Sequence, residues 1–218
     1  MKTTMIRMEK KRNLSLLICL LLALTVRAEV AEGIIYFKDG HQLEVGGDDR
    51  LELPMKDDDV KVFKSYYSRK REEQRYEPTG IDSVICWHPA SKQARFRLCM
   101  VQTVGWCWLY IGTPFIHVLV YASKGYALTG MGGISATQVD LYGSMFGRLM
   151  HSKCDFYLEA PGKPLRNLGN AYKKADLQFV DSVCDYVKDD PVTVARLRTL
   201  IGRNRSHFLM ELADYQPL

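Results

Sequence analysis

The 218-residue chain lacks the short motifs that mark familiar chemistry. It has no Gly-x-Ser-x-Gly elbow, no His-Glu-x-x-His helix and no calcium-loop pattern, so three common hydrolase and metal architectures have no foothold. No glycine cluster is followed by Lys-Ser or Lys-Thr, which excludes a phosphate loop, and no dinucleotide fingerprint follows a strand. Also missing is an apolar run of about 20 residues, the length that spans a bilayer as a helix. From Leu98 to Ser123 there is no formally charged side chain. Gly105, Gly112 and Pro114 interrupt that run, and its aromatic and β-branched residues suit buried strands better than a membrane helix.

The first 28 residues read as a secretory leader. Lys2, Arg7, Lys10, Lys11 and Arg12 precede an apolar stretch from Leu14 to Val26, broken only by Ser15 and Thr25. Val26-Arg27-Ala28 then offers small or β-branched residues at the −3 and −1 positions of a cut after Ala28. Two other fates stay open: acylation at Cys19, against which Ile18 stands where a small residue is wanted, and retention as an anchor. The leader holds six basic residues and one acid, Glu9, out of 30 and 25 in the whole chain, so the remainder carries 24 of each. The excess of +5 therefore resides in the leader, and no global attraction to nucleic acid is expected.

With 47% hydrophobic residues, the mature part can bury a true core. Hairpin character runs from 33 to 53, with Lys38-Asp39-Gly40 as the turn. Val60, Val62 and Phe63 predict a strand, and residues 61–75 hold six basic residues with Tyr66, Tyr67 and Tyr76 within or beside them. Cations steer phosphate and aromatic rings stack bases, so a small-anion or single-strand binding face is one reading. A solvated hairpin is the plainer reading, because Glu72 and Glu73 lie inside the stretch and Asp57 to Asp59 precede it. Strands follow at 81–87, at 96–100, near 104–111, at 115–121 and around 156–158, with a turn at Pro161-Gly162-Lys163-Pro164. Phe179, Val180, Val183, Cys184 and Val187 then form a helical stripe. Asp190 and Pro191 predict the cap and first position of a second helix reaching Gly202, and Ser206 the cap of a third. Strands followed by helices give an α+β class: antiparallel hairpins, with a small barrel as one form, then a helical C-terminal segment. The expected division is a leader at 1–28, a β-rich unit at 29–90 and an α+β unit at 91–218, with the last two able to form one domain.

Five cysteines follow the leader, Cys86, Cys99, Cys107, Cys154 and Cys184. An odd, widely spread set is no disulfide framework, although an oxidising compartment permits one or two bridges. Cys86 with His88 and His151 with Cys154 are the closest Cys/His pairs, too far apart in sequence for the paired spacing of a structural zinc site. His151 and Cys154 are the candidate catalytic pair, a cysteine nucleophile with a histidine base. Gly130, Gly132 and Gly133 are the candidate ligand-binding residues, since glycine lets a backbone approach a ligand; a plain loop is the alternative. His117, inside an apolar strand, is expected to be a core histidine with a satisfied hydrogen bond. No metal and no cofactor are expected.

Gly33 to Gly40 in the form Gly-x-Ile-x-Phe-Lys-Asp-Gly, Ile81-Asp82-Ser83, and Lys188-Asp189-Asp190-Pro191 with Tyr215 near the terminus follow a leader in that order. This resembles uncharacterised secreted proteins of Bacteroidota. The resemblance implies an envelope location and transfers no site residue. The expectation is an exported, non-catalytic binding or structural component whose partner is an envelope protein or a ligand. The alternatives are a periplasmic enzyme with the Cys/His pair and a membrane-associated accessory protein attached by a retained or lipidated N-terminus.

Overall fold

Alternating burial along successive strands creates two faces, and registers across the sheet show what occupies each. The computed structural model describes residues 30–123, 125–128, 134–135 and 154–217. The strands are β1 (Val30–Phe37), β2 (Gln42–Val45), β3 (Arg50–Glu52), β4 (Val60–Lys64), β5 (Glu72–Tyr76), β6 (Ile81–Trp87), β7 (Phe96–Val101), β8 (Gly105–Gly112), β9 (His117–Ala122), β10 (Ala127–Leu128), β11 (Ile134–Ser135), β12 (Cys154–Ala160) and β13 (Lys163–Asn170). Helices α1 (Leu177–Tyr186), α2 (Pro191–Arg198) and α3 (Arg205–Leu209) follow, the last running into a 3-10 turn at Met210–Asp214. The class is α+β. An 11-stranded antiparallel sheet runs β13-β12-β9-β8-β7-β6-β1-β3-β4-β5, with β2 also on β1, while β10 and β11 form a separate ladder. The sheet is open rather than a small barrel, and among the described residues β13 and β5 stand at the two ends of the strand order. The 90/91 boundary drawn from sequence falls in the connection between β6 and β7, which pair from Ser83↔Cys99 to Cys86↔Phe96.

One cross-strand row, Ile35–Val84–Leu98–Trp108–Val120–Phe156, connects six strands on the inner face. It links two apolar cores, one built mainly on β1 to β8 and the other on β8 to β13 with the helices. Trp108 packs against both. The adjacent row, Tyr36–Ser83–Cys99–Cys107–Tyr121–Asp155, necessarily lies on the opposite face, because side chains alternate along a strand. Neither cysteine of that row belongs to either core. The uncharged 98–123 run thus forms β8, β9 and most of β7. Among the described residues no helix is long and apolar enough to cross a membrane.

The sequence predicts no strand at β13 and ends that region in a turn. Pro164 and Gly169 lower its strand propensity, yet an edge strand tolerates proline because one side of its ladder goes unused. Helix α2 begins as predicted, with Asp190 accepting from the Thr193 amide at 3.0 Å and Pro191 in the first turn. It ends at Arg198 rather than Gly202, and Ile201 is 47% exposed. The cap of α3 is Asn204, not Ser206. The helix starts ahead of the position that the Ser206 hydroxyl suggests because buried Arg205 anchors the chain there.

The Asp189-Asp190 pair and Tyr215 have a visible structural function. Lys163 Nζ donates to the Tyr186 carbonyl at 2.7 Å, to both Asp189 oxygens at 3.1 Å and to the Tyr215 hydroxyl at 3.3 Å. The Tyr215 hydroxyl donates in turn to Asp189 at 2.7 Å. Asp190 closes the clamp by also accepting from the Thr193 hydroxyl at 2.6 Å and the Gln216 amide at 3.3 Å. Burial alone raises the Asp190 carboxyl, but these hydrogen bonds outweigh it and hold the group below its ordinary 3.8. A depressed carboxyl contributes stability above its unfolded value, and that stability disappears as pH falls through the folded value. Asp190→Ala is therefore expected to cost about 1–2 kcal/mol at neutral pH, the worth of an N-cap. It should also flatten the loss of stability below about pH 4, as followed by urea melts across an acid pH series.

Candidate functional site: a cation and aromatic belt around Glu32

Glu32 is the sole charged residue of β1, and it is 5% exposed. Its position follows from an interruption in pairing. Gly33 faces Val45 of β2 and Ala31 faces Leu51 of β3, so the residues between Val45 and Leu51 bulge out where Glu32 would find a partner strand. Gly47, at φ +68, lets that loop turn. On the other side Glu32 lies opposite Trp87, whose indole Nε1 donates to Glu32 Oε2 at 3.1 Å.

Arg50, 6% exposed, supplies the counter-charge. One guanidinium nitrogen lies 3.6 Å from Glu32 Oε1 and donates to the Gly47 and Asp49 carbonyls at 2.6 Å each, fastening the bulge. The other donates to the Tyr67 hydroxyl at 3.3 Å, and the guanidinium carbon sits 5.1 Å from the Tyr67 ring centre. Among the described residues Arg50 Nε has no hydrogen-bond partner. Buried charges of this kind need full compensation, and the pair obtains most of it from indole, carbonyl and phenol groups.

Outward from this buried pair the belt becomes cationic. Lys92, 70% exposed at its side chain, reaches Glu32 Oε2 at 3.3 Å, and Arg95 lies 4.7 Å over the Trp87 ring. Tyr66 meets Tyr67 edge-on at 5.2 Å, and Arg71 lies over both Tyr66 and Phe63, at 5.5 and 4.9 Å. The Tyr66 amide donates to the Asp48 carbonyl at 2.8 Å, tying the β4–β5 hairpin tip to the bulge. Lys64 and the Ser65 amide hydrogen-bond to Asp49, holding that carboxyl below its usual range. Arg69, Lys70, Arg71, Lys92 and Arg95 are exposed, as is Tyr67 at 72%. Of the nearby acids, Glu32 and Asp49 are engaged, Glu73 is paired with Arg75 at 2.6 Å, and Asp48 and Glu72 are exposed. The 61–75 stretch is thus the solvated hairpin expected from its charge. Its tip is linked through Tyr67 and Arg50 to Glu32, which Lys92 of the 88–95 connection also reaches, a linkage no local pattern reveals.

Other sequence candidates fall elsewhere. Cys154 opens β12 and is 2% exposed. Desolvation, aided by Asp155 and opposed by a Tyr172 hydrogen bond, pushes its thiol up to about 11, which disfavours the thiolate a nucleophile needs. His151, Gly130, Gly132, Gly133 and the leader with Cys19 lie outside the described residues. His117 does not sit in the core. It opens β9 with its side chain 46% exposed and its Nδ1 3.1 Å from Glu159 Oε2, beside an open depression of about 230 Å³ lined by Thr113, Pro114 and Pro161. The expected hydrogen bond is present, but the histidine is at a strand end, where alternation turns it outward. A larger depression, about 660 Å³, lies between α1 and α2, and an Arg198–Asp181 ion pair at 3.2 Å joins two of its lining residues. Among the described residues, no three His, Cys, Asp or Glu side chains converge on a metal position.

Sequence reasoning passed over Glu32, Arg50 and Trp87. The available signal was a lone carboxylate inside the otherwise uncharged segment Val30–Phe37. Comparison with known proteins adds no further constraint, as no protein-family model, curated protein or solved structure matches this chain.

Proposed function

We propose that the protein is an exported, non-catalytic binding component of the cell envelope, and that it holds an acidic ligand, phosphate- or carboxylate-bearing, on the belt around Glu32. The observation carrying this reading is the exposed Tyr67 ring beside buried Arg50, with exposed Arg69, Lys70 and Arg71 following it in the hairpin and exposed Lys92 and Arg95 set on Glu32 and Trp87. A ring face with guanidinium and ammonium groups around it suits a ligand with both an anionic group and a flat or apolar surface. Since the chain beyond the leader has balanced charge, attraction would be local to this belt. The leader and the resemblance to secreted Bacteroidota proteins support the envelope location. Intact mass of the exported protein would distinguish cleavage after Ala28 from acylation at Cys19, and an uncut mass would remove the secretion reading.

Heparin, as a soluble polyanion, tests the belt. The exported chain should be retained on a heparin matrix at low ionic strength and released by added salt. Combined replacement Arg69→Gln, Lys70→Gln and Arg71→Gln should abolish retention while lowering the thermal midpoint only slightly, because these side chains are exposed and only the Arg71 contacts over Phe63 and Tyr66 are given up. Tyr67→Ala should weaken retention with little change in its salt dependence. Flow-through of the unaltered protein, or equal retention of the triple variant, would overturn the proposal.

A further inference from the structure

Cys99 of β7 and Cys107 of β8 are direct partners in the antiparallel register. Such partners project to the same face. The Trp106 and Trp108 amides bond away from β7, to Lys56 and Tyr126, so Cys99 and Cys107 are the hydrogen-bonded, wider kind of pair, with Cβ atoms about 5.5 Å apart. A disulfide wants about 3.5–4.5 Å, so closure requires the two strands to approach by about 1–2 Å. The other described cysteines are placed differently. Cys86 alternates to the inner face in the first core, Cys154 and Cys184 lie in the second, and the Cys184 thiol is directed at the Val194 carbonyl of α2. No strand register sets any of these three opposite another cysteine.

We propose that Cys99 and Cys107 form a cross-strand disulfide once the protein meets an oxidising, disulfide-bearing partner such as glutathione disulfide. Cys99, half-buried where Cys107 has no exposed surface, reacts first. Its thiolate attacks one sulfur of glutathione disulfide, and one glutathione leaves as thiolate. Cys107 then gives its proton to water and attacks the Cys99 sulfur, expelling the second glutathione. Two protein thiols are oxidised and one glutathione disulfide is reduced to two glutathiones. Burial pushes the Cys99 thiol up to about 11 and the Cys107 thiol to about 12. Scarce thiolate slows formation near neutral pH, while high-pKa thiols are poor leaving groups, so the bond persists once made. It acts as a staple across the β7–β8 hairpin rather than a rapid switch.

The export reading supplies the setting, but the chemistry is independent of the anionic belt, so the two can fail separately. Both cysteines fall on one tryptic peptide, Leu98 to Lys124, because no Lys or Arg lies between them. Reduced native protein is incubated with excess glutathione disulfide at mildly alkaline pH, acid-quenched, unfolded, alkylated and digested. The expected product is that peptide unalkylated and lighter by two hydrogen atoms, with Cys86, Cys154 and Cys184 alkylated. A doubly alkylated peptide, or one carrying glutathione beside an alkylated Cys107, would overturn the proposal. In Cys99→Ser, Cys107 should remain alkylatable. A bridge from Cys107 to Cys86 or Cys154 in that variant would equally overturn it, since register would then not determine pairing.

Discussion

Gly105→Ala is expected to lower folding stability by more than about 3 kcal/mol, because two separate penalties coincide at one backbone position. Gly105 opens β8 with φ +113, a conformation that L side chains rarely adopt. A Cβ there would stand 2.2 Å from the Lys56 carbonyl oxygen and 2.7 Å from its carbon, and backbone cannot swing aside as a side-chain tip can. The approach is close because the Trp106 amide donates to the same Lys56 oxygen at 2.6 Å and the indole Nε1 of Trp106 donates to the Asp58 carbonyl at 3.0 Å. Trp106 is fully buried, among the largest such side chains, so the loop at 55–58 is nailed onto the hairpin. Gly40→Ala supplies the comparison. Gly40 has φ +91 but nothing within 4 Å of where a methyl would stand, so its substitution carries strain alone, about 1 kcal/mol. Urea midpoints of the two variants should differ widely. Equal losses would mean that the Lys56 contact contributes nothing.

Arg205→Met is expected to cost about 3–5 kcal/mol and to loosen the helical segment from the sheet, since it takes the donor from one buried and two half-buried carbonyls and removes the guanidinium from the Phe179 ring. Arg205 is 7% exposed. One terminal nitrogen donates to the Leu168 carbonyl at 2.8 Å and the Asn170 carbonyl at 3.1 Å, and Nε reaches the Lys174 carbonyl at 3.3 Å. The guanidinium also lies 4.2 Å over the Phe179 ring of α1. A single side chain thus joins β13, the following turn, α1 and α3. Its carboxylate neighbour, Asp176 at 3.7 Å, has a side chain 63% exposed and can be rehydrated, so the lost carbonyl bonds dominate. Arg205→Lys keeps the charge without the planar fork and should recover only part of the loss. Hydrogen exchange should show earlier opening of α3 than of β8 in Arg205→Met. Uniform opening would contradict the idea of a local anchor.

Elements with strong local signals were legible from residues alone. Asp39-Gly40 specified the β1–β2 turn, alternation of Phe96, Leu98 and Met100 specified β7, and Asp190-Pro191 specified the start of α2. Signals failed where a distant partner determined the outcome. β13 exists because β12 offers it a ladder despite Pro164 and Gly169. α3 begins at Arg205 because carbonyls more than 30 residues away accept its guanidinium. His117 faces outward because its place in the β9 alternation, set by pairing with Glu159 across β12, outweighs its apolar neighbours. The belt was half legible: its hairpin tip appears as a run of basic and tyrosine residues. Lys92, Arg95, Trp87 and Glu32 are separated from that run in sequence and join it only through the sheet.

By itself, then, the sequence determined the α+β class, the order of most strands and helices, the leader-like character of residues 1–28 and the charge balance of the remaining chain. These depend on periodicity, turn chemistry and composition, which act over a few residues or over the whole count. Tertiary structure alone decided that the sheet stays open, that Glu32 and Arg50 are buried together, and that Cys99 faces Cys107. Each of those outcomes is a matter of register between strands, and a shift of one residue would turn every side chain concerned to the other face.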